Sequence, residues 1–407
     1  MKAGWQTKTL GEVCEFQRGL TYAKSDEVDV SDNIVLRATN VDLKTNLLDF
    51  AELKYINDKV AVPDSKKVKV GSLMICTASG SKSHLGKVAY IDDDYGYAFG
   101  GFMGMVTPKK ELHPKYLFHR MTSNAYKDFI AALSDGANIN NLKFDDLKQF
   151  VVPFPPLPEQ QRIIGILDEA FDGIATAKAN AEKNLQNARA LFESHLQSVF
   201  TQSGEGWKAT TLGSEIDLLV GFAFKSAEYT NADGDVRLLR GDNIIQGCLR
   251  WDDVKKWPTN DTDLYDRYQL REGDIVLAMD RPWVKAGLKH ATISSDDLPC
   301  LLVQRTARLR GGTNLDNRFL MHLIGSAAFT SHILGVQTGI GVPHISGQQI
   351  KDFEFVRPSL AEQRHISDNL DALSEETQRL ESLYQRKLAA LDELKKSLLH
   401  QAFAGEL

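Results

Sequence analysis

No run of eighteen apolar residues occurs in this 407-residue chain, so the sequence predicts no membrane-spanning helix. Its opening stretch, MKAGWQTKTLGEV, lacks the apolar segment of a secretory signal, and a cytoplasmic, membrane-free protein is expected. Cysteine is scarce: Cys14, Cys76, Cys248 and Cys300 stand apart with no CxxC pair, which argues against a disulfide framework or a zinc ribbon and for reduced thiols. The ten histidines show no metal-ligand spacing. Positive charge is not in excess either. The chain carries 48 Lys+Arg against 54 Asp+Glu, a net charge of −6, where a phosphate-binding protein usually leaves a basic footprint.

Catalytic signatures are also missing. There is no GxGxxG, HExxH, GxSxG or Asn-Pro-Pro-aromatic segment. The stretch from Gly80 to Val88 looks like a phosphate-binding loop but has five residues between its glycines instead of four, and Val88 where a magnesium-binding Ser or Thr is required. The expectation is a chain with no catalytic centre and no cofactor or metal of its own.

What is present is a repeat. At 407 residues the chain predicts two to three units, and 43% hydrophobic with 25% charged residues is globular composition. Gly4-Trp5 and Thr9-Leu10-Gly11 return as Gly206-Trp207 and Thr211-Leu212-Gly213, an offset of 202. Gly19 returns as Gly221, Leu36-Arg37-Ala38-Thr39-Asn40 as Leu239-Arg240-Gly241-Asp242-Asn243, and Gly71 as Gly273. The halves close on FVVPFPPLPEQQRII (150–164) and FEFVRPSLAEQRHIS (353–367), with Glu159-Gln160 matching Glu362-Gln363 at an offset of 203. An offset that moves by one residue over some 150 positions means a shared scaffold.

A long helical pattern follows each closure. Positions 164, 167, 171, 174, 178, 181, 185, 188, 192, 195 and 199 form a 3-4 seam broken only by Lys178 and His195. Ile366, Leu370, Leu373, Thr377, Leu380, Tyr384, Lys387, Leu391, Leu394 and Leu398 form a second. Pro158 and Pro358 stand near the helix starts, and Gly204 and Gly405 just past the ends. Helices of roughly 43 to 45 residues would be about 65 Å long, and two such stripes bury their apolar residues most economically against each other as an antiparallel pair. The alternative is that each helix folds back on its own globular segment.

Charge separates along the same lines. Residues 1–157 carry 20 Lys+Arg against 19 Asp+Glu and residues 204–358 carry 18 against 20, while the two helical segments together carry 10 against 15. The acidity sits in the helices, leaving room for local basic patches elsewhere. Short β-rich runs (33–36, 73–77, 87–91, 274–278, 291–293) alternate with helical stretches (114–133, 317–334) in the globular segments. The predicted fold is α+β: two similar α/β domains, 1–157 and 204–358, in a pseudo-twofold arrangement, separated by two long antiparallel coiled-coil helices, 158–203 and 359–407.

Between matched strands lies a loop that does not match: TASGSKSHLGK (77–87) against AMDRPWVKAGLKH (278–290). One frame carrying two different polar loops suits a protein that reads two short DNA sequences, because base edges are told apart by donor and acceptor pattern. Candidate DNA contacts are Ser81, Lys82, His84 and Lys87 in one loop and Arg281, Trp283, Lys285 and Lys289 in the other. The matched Arg37/Asn40 and Arg240/Asn243 add guanidinium and amide groups after a strand, although Asn equally serves a turn. A third pair, DGANINN (135–141) with Asn138 and TGIGVPHIS (338–346) with His344, changes content around a retained glycine. For any one of these side chains the alternative is a solvated surface role.

The W-x4-LG openings, the PLPEQQ-x-I and SLAEQ-x-x-I closures and the ending LLHQAFAGEL (398–407) together resemble the specificity subunits of type I restriction-modification systems, over the whole chain. The resemblance implies two target-recognition domains on double-stranded DNA, each reading one part of a bipartite asymmetric target, and helical spacers that dock partners. Those partners are modification subunits, which bind S-adenosylmethionine and methylate adenine, and restriction subunits, which use ATP and Mg to translocate and cleave. Lengthening the helix 158–200 is then expected to change the gap between half-sites. The competing reading is a coiled-coil protein-interaction adaptor without DNA specificity.

Overall fold

A strand buried on both faces needs an unbroken apolar run, and two such runs organise the protein. In the computed structural model, which describes residues 4–43, 45–80, 84–134, 141–202, 204–339 and 342–407, the strands Leu73–Cys76 and Ile275–Ala278 are buried at every position. Side chains alternate across them. Leu73 and Ile75 face a helix-lined core with Tyr116, Leu117 and Met121, and Met74 and Cys76 face a second core with Phe99 and Met103. In the later copy Ile275 and Leu277 meet Phe319, Leu320 and Leu323, and Val276 and Ala278 meet Ile293 and Leu302.

The chain divides into two compact units, 1–182 with 385–407, and 183–384. In the first, Leu73–Cys76 is flanked by Val88–Tyr90 and Met103–Pro108, the latter also pairing with Cys14–Arg18, all antiparallel. In the second, Ile275–Ala278 lies between His290–Thr292 and Thr306–Gly311, which pairs with Ile216–Val220. Each unit also holds a second sheet with one parallel pair, Asn33–Leu36 with Ala98–Phe99 and Val236–Leu239 with Cys300–Leu302. The strand after each W-x4-LG tryptophan pairs with the strand before each long helix: Gln6–Thr9 with Val151–Phe154, and Lys208–Thr211 with Glu354–Arg357. Gly19 and Gly221 are required by close approach, since a Cβ there would stand 2.0 Å from Gly100 O and 2.1 Å from Val303 O.

Each stretch expected as one helix is two. Pro114–Thr122 and Asn124–Ser134 are separated by Ser123, and Asn317–Gly325 and Ala327–Val336 by Ser326. Each serine hydroxyl donates back to a carbonyl, Arg120 O or Leu323 O at 2.7 Å, and ends the first helix. Ser326 Oγ then accepts from Phe329 N and starts the next. No single described helix is long and apolar enough to cross a membrane; the bent pair Asn317–Gly325 and Ala327–Val336 passes by length and composition, but Phe319, Leu320, Leu323, Ile324, Phe329 and Ile333 lie in the core.

The long helices run Leu157–Thr201 and Leu360–Ala404, 45 residues each. Ser359, which replaces a proline of the first closure, caps the second: its amide and hydroxyl donate to Glu362 Oε2 at 2.9 and 2.7 Å. Gly405 ends it at φ +81°, and Glu406 N donates to Gln401 O. In the first unit the helices are antiparallel, with Lys178 paired to Asp392 and Arg162 Nη2 donating to Leu407 O at 2.6 Å. In the second, Arg189 pairs with Glu381 at 2.9 Å. The buried stripe drifts from the expected seam. Leu196 is buried where His195 is exposed, Leu388 is half-buried where Lys387 is exposed, and Leu394 is 47% exposed. The cause is that a 3.6-residue helix gains on a 3.5-residue repeat over several turns.

A candidate nucleic-acid interface

Three hydrogen bonds, made twice, gather the segments of interest at one end of each domain. Gly100 N donates to Leu36 O, Thr77 N to Phe102 O and Leu142 N to Thr77 O, at 2.9, 2.9 and 2.6 Å. Their counterparts are Val303 N to Leu239 O, Met279 N to Arg305 O and Ile345 N to Met279 O, at 3.1, 2.8 and 2.9 Å. The turns that begin at Arg37 and Arg240, the starts of the variable loops, and Leu142 and Ile345 at the far side of the third segment are thereby linked in each domain.

Individual residues sort differently. Asn40 and Asn243 are buried and spent on their turns. Asn40 Oδ1 accepts from Arg37 N and its amide donates to Asp49 O and Glu52 O; Asn243 Oδ1 accepts from Arg240 N and its amide donates to Arg250 O. Both side chains are committed to the turn role that the sequence offered as the alternative to a DNA contact. Lys87 is held by the fold too: it is 8% exposed, its Nζ donates to Val41 O at 2.9 Å and lies 3.3 Å from His84 Nδ1, and burial pushes its pKa down. That ammonium fastens the loop to the turn beneath it. His84 is half-buried beside it. Ser81, Lys82 and Asn138 lie outside the described residues.

Arg37 is half-buried, and its Nε is buried with no hydrogen-bond partner. Arg240 lines a cleft of about 340 Å³ with Asp242, Asp280, Arg281, Lys289 and Arg305. Arg240 Nη2 reaches Asp242 at 3.3 Å and Arg305 Nη1 reaches Asp280 at 3.5 Å, long contacts that leave both guanidinium groups donors to spare. Lys289 is half-buried and burial lowers its pKa. Arg281 and Arg305 stand at φ +45° and +67°, a strained region for arginine that the hydrogen bonds Arg281 N to Pro343 O and Met279 N to Arg305 O hold in place. Trp283 and Lys285 are exposed on a hairpin pairing Trp283–Val284 with Gly287–Leu288. His344 closes the third loop, with its amide on Thr338 O and its Nε2 3.1 Å from Thr338 Oγ1.

Two sets of residues stand outside the candidate contacts that the sequence offered. One fixes each domain to its long helix. Gln160, fully buried, accepts from His113 N and donates to Glu111 O and Pro155 O. Gln363 accepts from Asp316 N and donates to Asn314 O and Pro358 O. Beside them Asp168 takes His119 Nε2 at 3.0 Å and Lys115 Nζ at 2.6 Å, and Asp371 takes His322 Nε2 at 2.7 Å and an Arg318 guanidinium. The hydrogen bond from His119, then that from Lys115, lower the Asp168 pKa to about 2 against its burial. Burial would raise Asp371, but Arg318 and His322 hold it low. Gln160, His119 and Asp168 recur at an offset of 203 as Gln363, His322 and Asp371, which was the available signal. The other set is the turn carrying Phe102 and Arg305, too short in sequence to stand out. Among the described residues no group of three His, Cys, Asp or Glu could hold a metal ion.

Comparison with known proteins agrees with this architecture. A family model described as "Type I restriction modification DNA specificity domain" matches residues 2–186. The specificity subunit of the type I restriction enzyme StySPI from Salmonella potsdam is 27% identical over 99% of this chain and 89% of its own. That of EcoAI from Escherichia coli is 40% identical over 42% of this chain and 28% of its own. A chain from a structure addressing complex assembly and conformational transition of the type I R-M system shares the fold at 17% identity, with a TM-score of 0.78 over 100% of this chain and 99% of that one. The first half of the chain thus matches a type I restriction modification DNA specificity domain, and the duplicated domain with a long helix after each copy is similar to the StySPI specificity subunit over nearly its whole length.

Proposed function

We propose that the chain is the non-catalytic reader of a bipartite, asymmetric double-stranded DNA target within a cytoplasmic type I restriction-modification complex. Residues 1–157 read one half-site, residues 204–358 the other, and segments 158–203 and 359–407 dock modification and restriction subunits. S-adenosylmethionine, ATP and Mg belong to those partners. One observation carries the reading: the same hydrogen-bonded tip is built twice and filled with different side chains. Arg37 in one tip and Arg240, Arg281, Lys289 and Arg305 in the other supply cationic donors suited to phosphates and guanine edges.

The acidic long helices are poor partners for a polyanion and suited to protein contacts. Near-neutral domains imply weak DNA binding by the chain alone and tight binding in the complex. Long-read mapping of adenine methylation, in cells expressing the chain with its modification partner, should give one gapped asymmetric motif. Lengthening the 158–200 segment by whole turns should change the gap and leave both half-sites intact. Methylation independent of the chain would instead favour a protein-only adaptor.

A further inference from the structure

Phe102 and Arg305 occupy one scaffold position, since the carbonyl of each accepts the amide that follows the buried central strand, Thr77 N at 2.9 Å and Met279 N at 2.8 Å. Phe102 is 74% exposed, the most of any phenylalanine or tryptophan among the described residues. Its turn is fixed. Phe102 O also accepts from Ala78 N at 3.2 Å and Thr77 Oγ1 at 2.9 Å, and its chain neighbour Met103 is fully buried. A phenyl ring held in water forgoes about 2 kcal/mol of burial. What sets this ring apart from other exposed apolar side chains is its place, on a turn held by three hydrogen bonds between the Arg37 strand end and the variable loop, where it meets whatever the tip binds.

We propose that Phe102 is a specificity-determining contact of the first domain, laying its ring on apolar base surface in the DNA groove, where the second domain presents the Arg305 guanidinium. This rests on the DNA-reading function proposed above and goes further in naming which chemistry each half-site meets at this turn. A phenyl ring can take the thymine 5-methyl or the face of a partly unstacked base. A guanidinium at the same place takes guanine N7 and O6 or a phosphate. The two tips therefore differ in kind at an equivalent point, not only in the loops that vary in length.

The test uses the complex of the chain with its modification subunit and a duplex carrying its motif. Phe102→Ala should weaken binding by about tenfold, within the range for loss of one base-stacking or apolar base contact, and relax discrimination in the first half-site alone; Phe102→Leu should recover most of it. Deoxyuridine for thymine in that half-site should weaken the unmodified complex but not Phe102→Ala if the methyl is the contact. If the base face is the contact, 2-aminopurine placed there should brighten on binding only when Phe102 is present. A wild-type motif that Phe102→Ala leaves unaltered in affinity and sequence would overturn the contact alone. The absence of any motif dependent on the unmodified chain would overturn the DNA-reading function and the contact with it.

Discussion

The base of each domain and its tip obey different rules. At the base, Gln160 and Gln363 make the same three hydrogen bonds, and His119–Asp168 matches His322–Asp371. At the tip the backbone hydrogen bonds still match, but phenylalanine faces arginine and an 11-residue loop faces one of 13 residues, the latter forming a hairpin. Buried polar groups have few arrangements that leave nothing unsatisfied, so a repeat preserves them. Exposed tip side chains carry no such constraint and can diverge with the ligand.

The sharpest test of scaffold equivalence is steric. Gly19→Ala and Gly221→Ala each drive a methyl into a carbonyl oxygen, and each should cost about 3 kcal/mol or more in thermal unfolding. A large loss in one half only would break the equivalence. Next, Gln160→Leu and Gln363→Leu orphan one amide and two carbonyls apiece and should each lose about 3 kcal/mol in denaturant unfolding.

A smaller effect comes from Asp168→Asn, about 1 kcal/mol after allowance for solvent screening of a partly exposed pair. Asp168 is lowered from 3.8 to about 2, so its contribution is complete above pH 4 and fades as pH falls towards 2. Acid unfolding of the wild type should show that loss and Asp168→Asn should not; parallel curves would remove the clamp from the account. Least of all in stability, Trp283→Ala and Lys285→Ala should stay within about 0.5 kcal/mol of wild type because both side chains are exposed, yet alter the methylated motif in one half.

The repeat made most of the architecture legible, since Trp5, Gly19, Arg37 and Gln160 each return 202 or 203 positions on. The turns at Ser123 and Ser326 were not legible, because a serine inside an apolar helical pattern signals a break only when its hydroxyl is seen returning to the preceding turn. For the tip, the sequence singled out loops whose ends the fold brings together, but not which of their side chains stay free. Asn40 and Lys87 have the side chains of DNA contacts and are consumed by the fold, while Phe102 has the side chain of a core residue and faces water. Burial of a polar group and exposure of an apolar one are decided by where the chain turns, which local pattern does not encode.

The central claim is that the two tips read independently. Exchanging residues 278–290 for the matching segment of a relative with a different target, then mapping adenine methylation with the modification partner present, tests it directly. The account predicts that one half of the gapped motif changes while the other half and the gap are retained; a change in both halves, or in neither, would contradict it.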